Sequence, residues 1–245
     1  MKFCDRDRIP VVIKTPKQKG EKIGCIRERF LILTELFWIP WVCGDRLMWN
    51  FWGGGESLCP RIILKQLRRL VLTALRSIRS GGFSLPESRE EIVREWYLMA
   101  ENAYRYQVEL KEGAGEWLNR LKSLNIPLAV ATSSDEALFV PALKRTGIYD
   151  CFDAFVTVKE VARGKGFPDI YEKAAGRIGC VPEQCVVFED ILQGIRGAKM
   201  GGFCAVAVYD EDSAHEEQAM RDAADYYIYS FRQLLEGDPG LFDGQ

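Results

Sequence analysis

Val186-Val187-Phe188-Glu189-Asp190, running on into Ile191-Leu192-Gln193-Gly194-Ile195-Arg196-Gly197-Ala198-Lys199, decides how the rest of the chain is read. A short apolar run with β-branched residues predicts a buried strand, and the apolar residues that follow at helical spacing predict a helix. Glu189 and Asp190 therefore stand at the carboxyl end of a strand. In open α/β sheets ligands bind at that edge.

The same alternation extends in both directions. Upstream lie Val108-Glu109-Leu110, an amphipathic helix from Glu116 to Leu124, the strand Leu128-Ala129-Val130-Ala131 ending in Thr132-Ser133-Ser134, and a helix from Asp135 to Thr146 stopped by Gly147. The short strand Ala154–Val158 and a helix from Pro168 to Ile178, closed by Gly179, complete the approach. Downstream come Cys204–Val208, the short strand Tyr226-Tyr227-Ile228 and a helix over Phe231–Leu235. Strands alternating with helices of about ten residues predict an α/β fold with a doubly wound parallel sheet over 108–236. Before it, Ser88 and Glu91 form a capping box for a helix in which Ile92, Trp96 and Met99 recur, to about Gln107. Residues 237–245 read as a tail.

Residues 1–84 have a different texture. Phe37-Trp38-Ile39-Pro40-Trp41-Val42 has neither strand alternation nor a helical stripe. Gly53-Gly54-Gly55 lacks the Gly-Lys-Ser/Thr ending of a phosphate-cradling loop, and Arg61 to Arg79 is a basic, Leu-rich helix candidate. This region carries 16 Lys and Arg against 7 Asp and Glu, while residues 85–245 carry 17 against 28, an asymmetry hidden in the net charge of −2. A basic arm of this kind suits nucleic acid or a membrane surface. The bases are mixed with four of the six tryptophans without periodicity, which argues against it. Phe30 to Trp52 is the most apolar stretch, but Glu35, Pro40, Asp45 and Arg46 interrupt it short of the ~20 residues of a membrane span. With no signal peptide visible, the expectation is a cytoplasmic protein with no membrane partner. The eight cysteines form no Cys-x-x-Cys pair and are expected as reduced thiols. The single histidine, His215, reads as a surface residue.

Three strand-end or loop segments carry polar residues suited to one chemistry. Thr132 and Ser133 offer a hydroxyl beside backbone N–H groups, and Lys165 lies in the loop Arg163-Gly164-Lys165-Gly166-Phe167-Pro168. Together they make a phosphate cradle. Glu189 and Asp190 suit Mg²⁺, a hard cation that takes one or two carboxylates along with phosphate and water. Taken singly, a Thr-Ser-Ser strand end is a helix cap, a loop lysine is solvated and a Glu-Asp pair caps a helix. Their order and spacing together point to phosphoryl transfer.

On these residues, 85–236 resembles the haloacid dehalogenase-like hydrolase superfamily, in the branch of β-phosphoglucomutase-like sugar-phosphate phosphatases and mutases. Leu128–Ser134 is similar to its second motif, Arg163–Tyr171 to its third and Val186–Gly194 to its fourth. The resemblance implies a Rossmann-like core with a helical cap ending over 85–107. It implies phosphate held by Thr132, Ser133 and Lys165, with Thr132 and Lys165 as catalytic groups, Mg²⁺ held by Glu189 and Asp190, and a small phosphorylated metabolite as substrate. Two positions depart from the pattern: Gly166 stands where the family commonly has proline, and Ile191 where it has a small polar residue.

A larger departure is an absence. The family's first motif, an apolar strand ending Asp-x-Asp-Gly-Thr, supplies the nucleophile, and residues 1–84 hold no such segment; Asp5-Arg6-Asp7 has the spacing without the strand or the Gly-Thr. No nucleophile is identifiable, and a sheet without its central strand, with exposed strand edges, is the expectation. One permitted codon choice for Phe30 to Gly44, read two bases later, spells Phe-Asp-Ile-Asp-Gly-Thr-Val-Leu-Asp-Ser. Residues 28–83 are accordingly expected to be translated out of frame. Three readings stay open: an impaired Mg²⁺-dependent phosphohydrolase or phosphomutase, a non-catalytic phosphate-binding or frameshifted product, and a protein with a basic nucleic-acid arm.

Overall fold

The computed structural model describes residues 89–236 together with three short strands, β1 (Val12–Ile13), β2 (Phe30–Leu33) and β3 (Phe37–Trp38). The remaining elements are α1 (Arg89–Tyr106), β4 (Glu109–Leu110), α2 (Ala114–Ser123), β5 (Leu128–Thr132), α3 (Glu136–Arg145), β6 (Ala154–Thr157) and α4 (Asp169–Arg177). They continue with β7 (Cys185–Glu189), α5 (Leu192–Met200), β8 (Cys204–Val208), α6 (Glu217–Ala223), β9 (Tyr226–Ile228) and α7 (Arg232–Glu236). Ser88, Asp5-Arg6-Asp7, Gly53-Gly54-Gly55 and the basic stretch 61–79 lie outside the described residues.

A strand sends alternate side chains to opposite faces, and β5, β7 and β8 use that to bury both. Ala129, Ala131, Cys185, Val187, Ala205 and Ala207 join one cluster with Ile170, Tyr171 and Ala174 of α4 and Ile195 and Ala198 of α5. On the intervening positions Phe188 meets Trp117 of α2 edge-on at 4.9 Å, and Phe231 closes the group at 5.3 Å from Trp117 and 5.7 Å from Phe188. Small residues under the α4 and α5 face and aromatic ones under the α2 face explain the continuous apolar runs, the mark of strands covered on both sides.

Seven strands pair in the order β1-β9-β8-β7-β2-β5-β6, all parallel except β1, which runs antiparallel to β9. The α/β reading with a doubly wound parallel sheet holds. One expectation is corrected: the sheet does not lack its central strand. Phe30–Leu33 fills that place, with Leu33 opposite Phe188 on one side and Val130 on the other, so the inner edges of β5 and β7 are paired. Four apolar residues in a Trp-rich context gave no local sign of this, because the pairing partners lie about a hundred or more residues away. The strand order reverses at β2, which makes the carboxyl ends of β5, β2 and β7 the crevice where such folds bind ligands.

The chain divides into two units, Met1–Trp38 with Leu110–Gln245, and Ile39–Glu109. Within the second, α1 ends where the N–H groups of Gln107 and Val108 both donate to Ala103 O, at 2.8 and 2.9 Å. β3 and β4 pair as a two-stranded ribbon where the chain passes between the units. Cys151, Cys180 and Cys185 are buried and Cys204 half-buried, none of them in a disulfide; burial pushes Cys180 up to about 11 and Cys185 up to about 12. His215 is exposed. No helix among the described residues is long and apolar enough to cross a membrane.

Candidate functional site

Strand register sets the spacing of the site. Val130 and Phe188 are level across β2, so Thr132 and Asp190, each two residues further on, flank the end of β2 at about two strand spacings, ~10 Å apart. Thr132 is buried and its Oγ1 accepts the Ser134 N–H at 3.0 Å, a bond that does not use its own O–H donor. Ser133 is exposed.

Lys165 and Glu189, separated in sequence, are brought together. Lys165 is 6% exposed and Glu189 1%, and Lys165 Nζ lies 3.2 Å from Glu189 Oε1. Two glycines on one face of α5 permit this. A Cβ at Gly194 would stand 2.3 to 2.6 Å from the Glu189 carboxylate, and one at Gly197 would stand 2.1 Å from Lys165 O. Gly166 has a different neighbour: its missing Cβ would meet Gln193 Nε2 at 2.7 Å, so the Gln193 side chain covers the space above the loop.

Three groups that sequence reasoning missed complete the arrangement. Tyr171, fully buried on α4, donates its hydroxyl to Glu189 Oε1 at 2.7 Å. Lys111, one residue past β4 and 8% exposed, places Nζ 2.5 Å from Asp210 Oδ2, 3.4 Å from Asp190 Oδ2 and 3.5 Å from Tyr209 O. Asp210, just beyond β8, is the third. Tyr171 carried a faint signal as the last residue of the Lys165 segment. Lys111 and Asp210 carried none, because a lysine beside a glutamate reads as solvated and their pairing spans 99 residues.

Burial raises the Glu189 carboxyl above the usual range, against the downward pull of Lys165 and the Tyr171 hydrogen bond. Burial also pulls Lys111 down, but the Asp190 and Asp210 charges outweigh it and the ammonium ends above its ordinary value. Glu189 Oε2 is buried with no hydrogen-bond partner among the described residues. An orphaned carboxylate oxygen beside a second carboxylate is a donor set that fits a hard divalent cation. Among the described residues no group of three or more His, Cys, Asp or Glu side chains forms a metal cluster.

A family model described as haloacid dehalogenase-like hydrolase matches residues 57–202, beginning upstream of Leu85. The chain is 31% identical over 178 residues to a probable pseudouridine-5'-phosphatase of Drosophila melanogaster, covering 68% of this chain and 77% of that protein. It is 33% identical over 112 residues to the validoxylamine A 7'-phosphate phosphatase of Streptomyces hygroscopicus subsp. limoneus, 46% of this chain and 51% of that one. The chain thus spans about half the length of that relative. Among solved structures, a CbbY mutant from Rhodobacter sphaeroides in complex with xylulose-(1,5)bisphosphate superposes with a TM-score of 0.66 at 25% identity, over 87% of this chain and 99% of that one.

Proposed function

Because the chain belongs to the haloacid dehalogenase-like hydrolases, we propose that it is a sugar-phosphate phosphatase or phosphomutase scaffold that binds a small phosphorylated metabolite and Mg²⁺ but turns substrate over little or not at all. The observation that carries this reading is β2. It is the central strand between the strands bearing Thr132 and Glu189, and its sequence, Phe-Leu-Ile-Leu, holds no carboxylate.

Thr132 O–H and the Lys165 ammonium are the groups that would hold phosphoryl oxygens, Thr132 by its hydroxyl donor and Lys165 by its charge. Glu189 and Asp190 would hold the cation, which when bound supplies charge neutralisation for the phosphoryl group. Tyr171 keeps the Glu189 carboxylate oriented by its hydroxyl. The covalent step that such enzymes begin with an aspartate needs a nucleophile, and the described residues offer none at the end of β2.

A second reading rests on the same strand. Phe30–Leu33 fills the central place in the sheet, and it is also where an alternative reading frame spells Phe-Asp-Ile-Asp-Gly-Thr. We infer that the stretch around Phe30 is out of frame and that it ends before residue 57, where the family match begins. Sequencing the coding DNA decides this: absence of a strand-Asp-x-Asp-Gly-Thr in any frame upstream of codon 85 ends the idea. For the protein itself, an aryl phosphate with Mg²⁺ is expected to be hydrolysed no faster than the buffer control. Turnover at enzyme-like rates, abolished in Asp190→Ala, would show that an unrecognised nucleophile exists.

A further inference from the structure

Asp190 does not face the candidate cation site alone. The Lys111 ammonium is 3.4 Å from its Oδ2, and the Lys111 side chain is 7% exposed, Asp190 12% and Asp210 16%, so water screens these charges little. The ammonium is seated chiefly on Asp210 at 2.5 Å and leans toward Asp190. With Lys165 on Glu189, three carboxylates at this edge of the sheet face two ammonium groups.

A divalent cation bound through Asp190 would have to share that carboxylate with a fixed positive charge. We propose that Lys111 is a built-in competitor for divalent cations at Asp190, and that Asp210, by anchoring the ammonium, sets how strongly it competes. The proposal rests on the reading of Glu189 and Asp190 as cation ligands and deepens it: affinity at this site is tuned by a lysine outside the three motif segments.

The geometry gives the two partners opposite signs. Replacing Lys111 by an apolar side chain of similar length removes the competitor. Replacing Asp210 by a neutral isostere removes the anchor and leaves Asp190 as the ammonium's only carboxylate contact among those described. A role in stability alone would weaken cation binding in both variants.

The test is titration of the full-length protein with Mn²⁺ alone, free ion being counted by electron paramagnetic resonance, with thermal unfolding as a check that each variant is folded. Lys111→Met is expected to bind Mn²⁺ about tenfold more tightly than the wild type, and Asp210→Asn about tenfold more weakly, within the range of coupling between interacting charged sites. Unchanged or weaker binding in Lys111→Met overturns the proposal. Should Lys111→Met fail to fold, Asp210→Asn decides alone, and unchanged or tighter binding there overturns it. Wild-type binding insensitive to Asp190→Asn would place Mn²⁺ elsewhere, which removes the underlying reading and the proposal with it. Binding lost in Asp190→Asn but indifferent to Lys111→Met removes the proposal only.

Discussion

Ile191 occupies the N-cap of α5 with extended backbone, φ −126° and ψ 140°, and gives no side-chain cap to the helix. An N-cap is favoured by a side-chain oxygen that accepts from the first-turn N–H groups, and isoleucine has none. Ile191→Thr keeps the β-branch and one methyl while adding the acceptor. It is expected to stabilise the protein by about 0.5 kcal/mol, the lower end of what a cap contributes, read as a raised urea midpoint at unchanged slope. This departure from the family pattern was visible in the sequence, because capping is local. The ammonium–carboxylate contacts of Lys111 were not, since nothing near Lys111 in the chain distinguishes a buried lysine from a solvated one.

The two glycines of α5 show how an element is shaped by what it lies against. Gly194 approaches the Glu189 carboxylate and Gly197 the carbonyl of Lys165, closer than any Cβ allows. Gly176, inside α4, has open space around it and no positive φ. Gly194→Ala is therefore expected to destabilise by about 2 kcal/mol or more, since helix α5 must move off a buried charged pair. Gly176→Ala should stabilise by roughly 0.5–1 kcal/mol through helix propensity alone. Paired thermal melts of the two variants check the contrast, and equal effects would contradict the close approach. At this scale the sequence was legible wherever the pattern was strong: β5, β7 and β8 lie where continuous apolar runs put them, and the helices between them where helical spacing did. β2 was illegible because its assignment depends on β5 and β7 and on no pattern of its own.

Over the whole molecule, several carboxylates are held ionised by the fold. Glu160 lies below its ordinary value, first through the Thr157 N–H donated to Oε1 at 2.9 Å and then through Arg177 and Lys173. Burial raises Glu217, but hydrogen bonds from Arg221 and Tyr229 outweigh it and leave it low. A carboxylate depressed in the folded state contributes stability above its unfolded value, about 4.3 for glutamate, and loses it as pH falls through the lower folded value. Stability is expected to fall on acidification below about pH 4, the region of the ordinary glutamate value. Glu160→Gln should cost about 0.5–1 kcal/mol at pH 7, as partly exposed ion pairs do, and should flatten the acid limb. Urea midpoints measured from pH 7 to pH 3 check both. Thr132, Glu189 and Asp190 were readable because strand ends in an α/β sheet converge by topology, and Lys165 because its loop matches a motif; Tyr171 joins them only through packing on α4, and Asp210, although it also follows a strand, sits in no recognisable motif.

The β3–β4 ribbon adds a consequence for how such a chain can change. The path leaves the first unit after Trp38 and returns at Leu110, and the pairing of β3 with β4 holds departure and return side by side. To the sheet, residues 39–109 are a parenthesis whose two brackets touch. Closing a loop costs free energy that grows only with the logarithm of its length, and here the brackets are already closed by backbone pairing. Shortening, lengthening or exchanging the inserted text is therefore expected to leave the register that aligns Thr132 with Asp190 in place, which the register-sensitive stability of such variants would check.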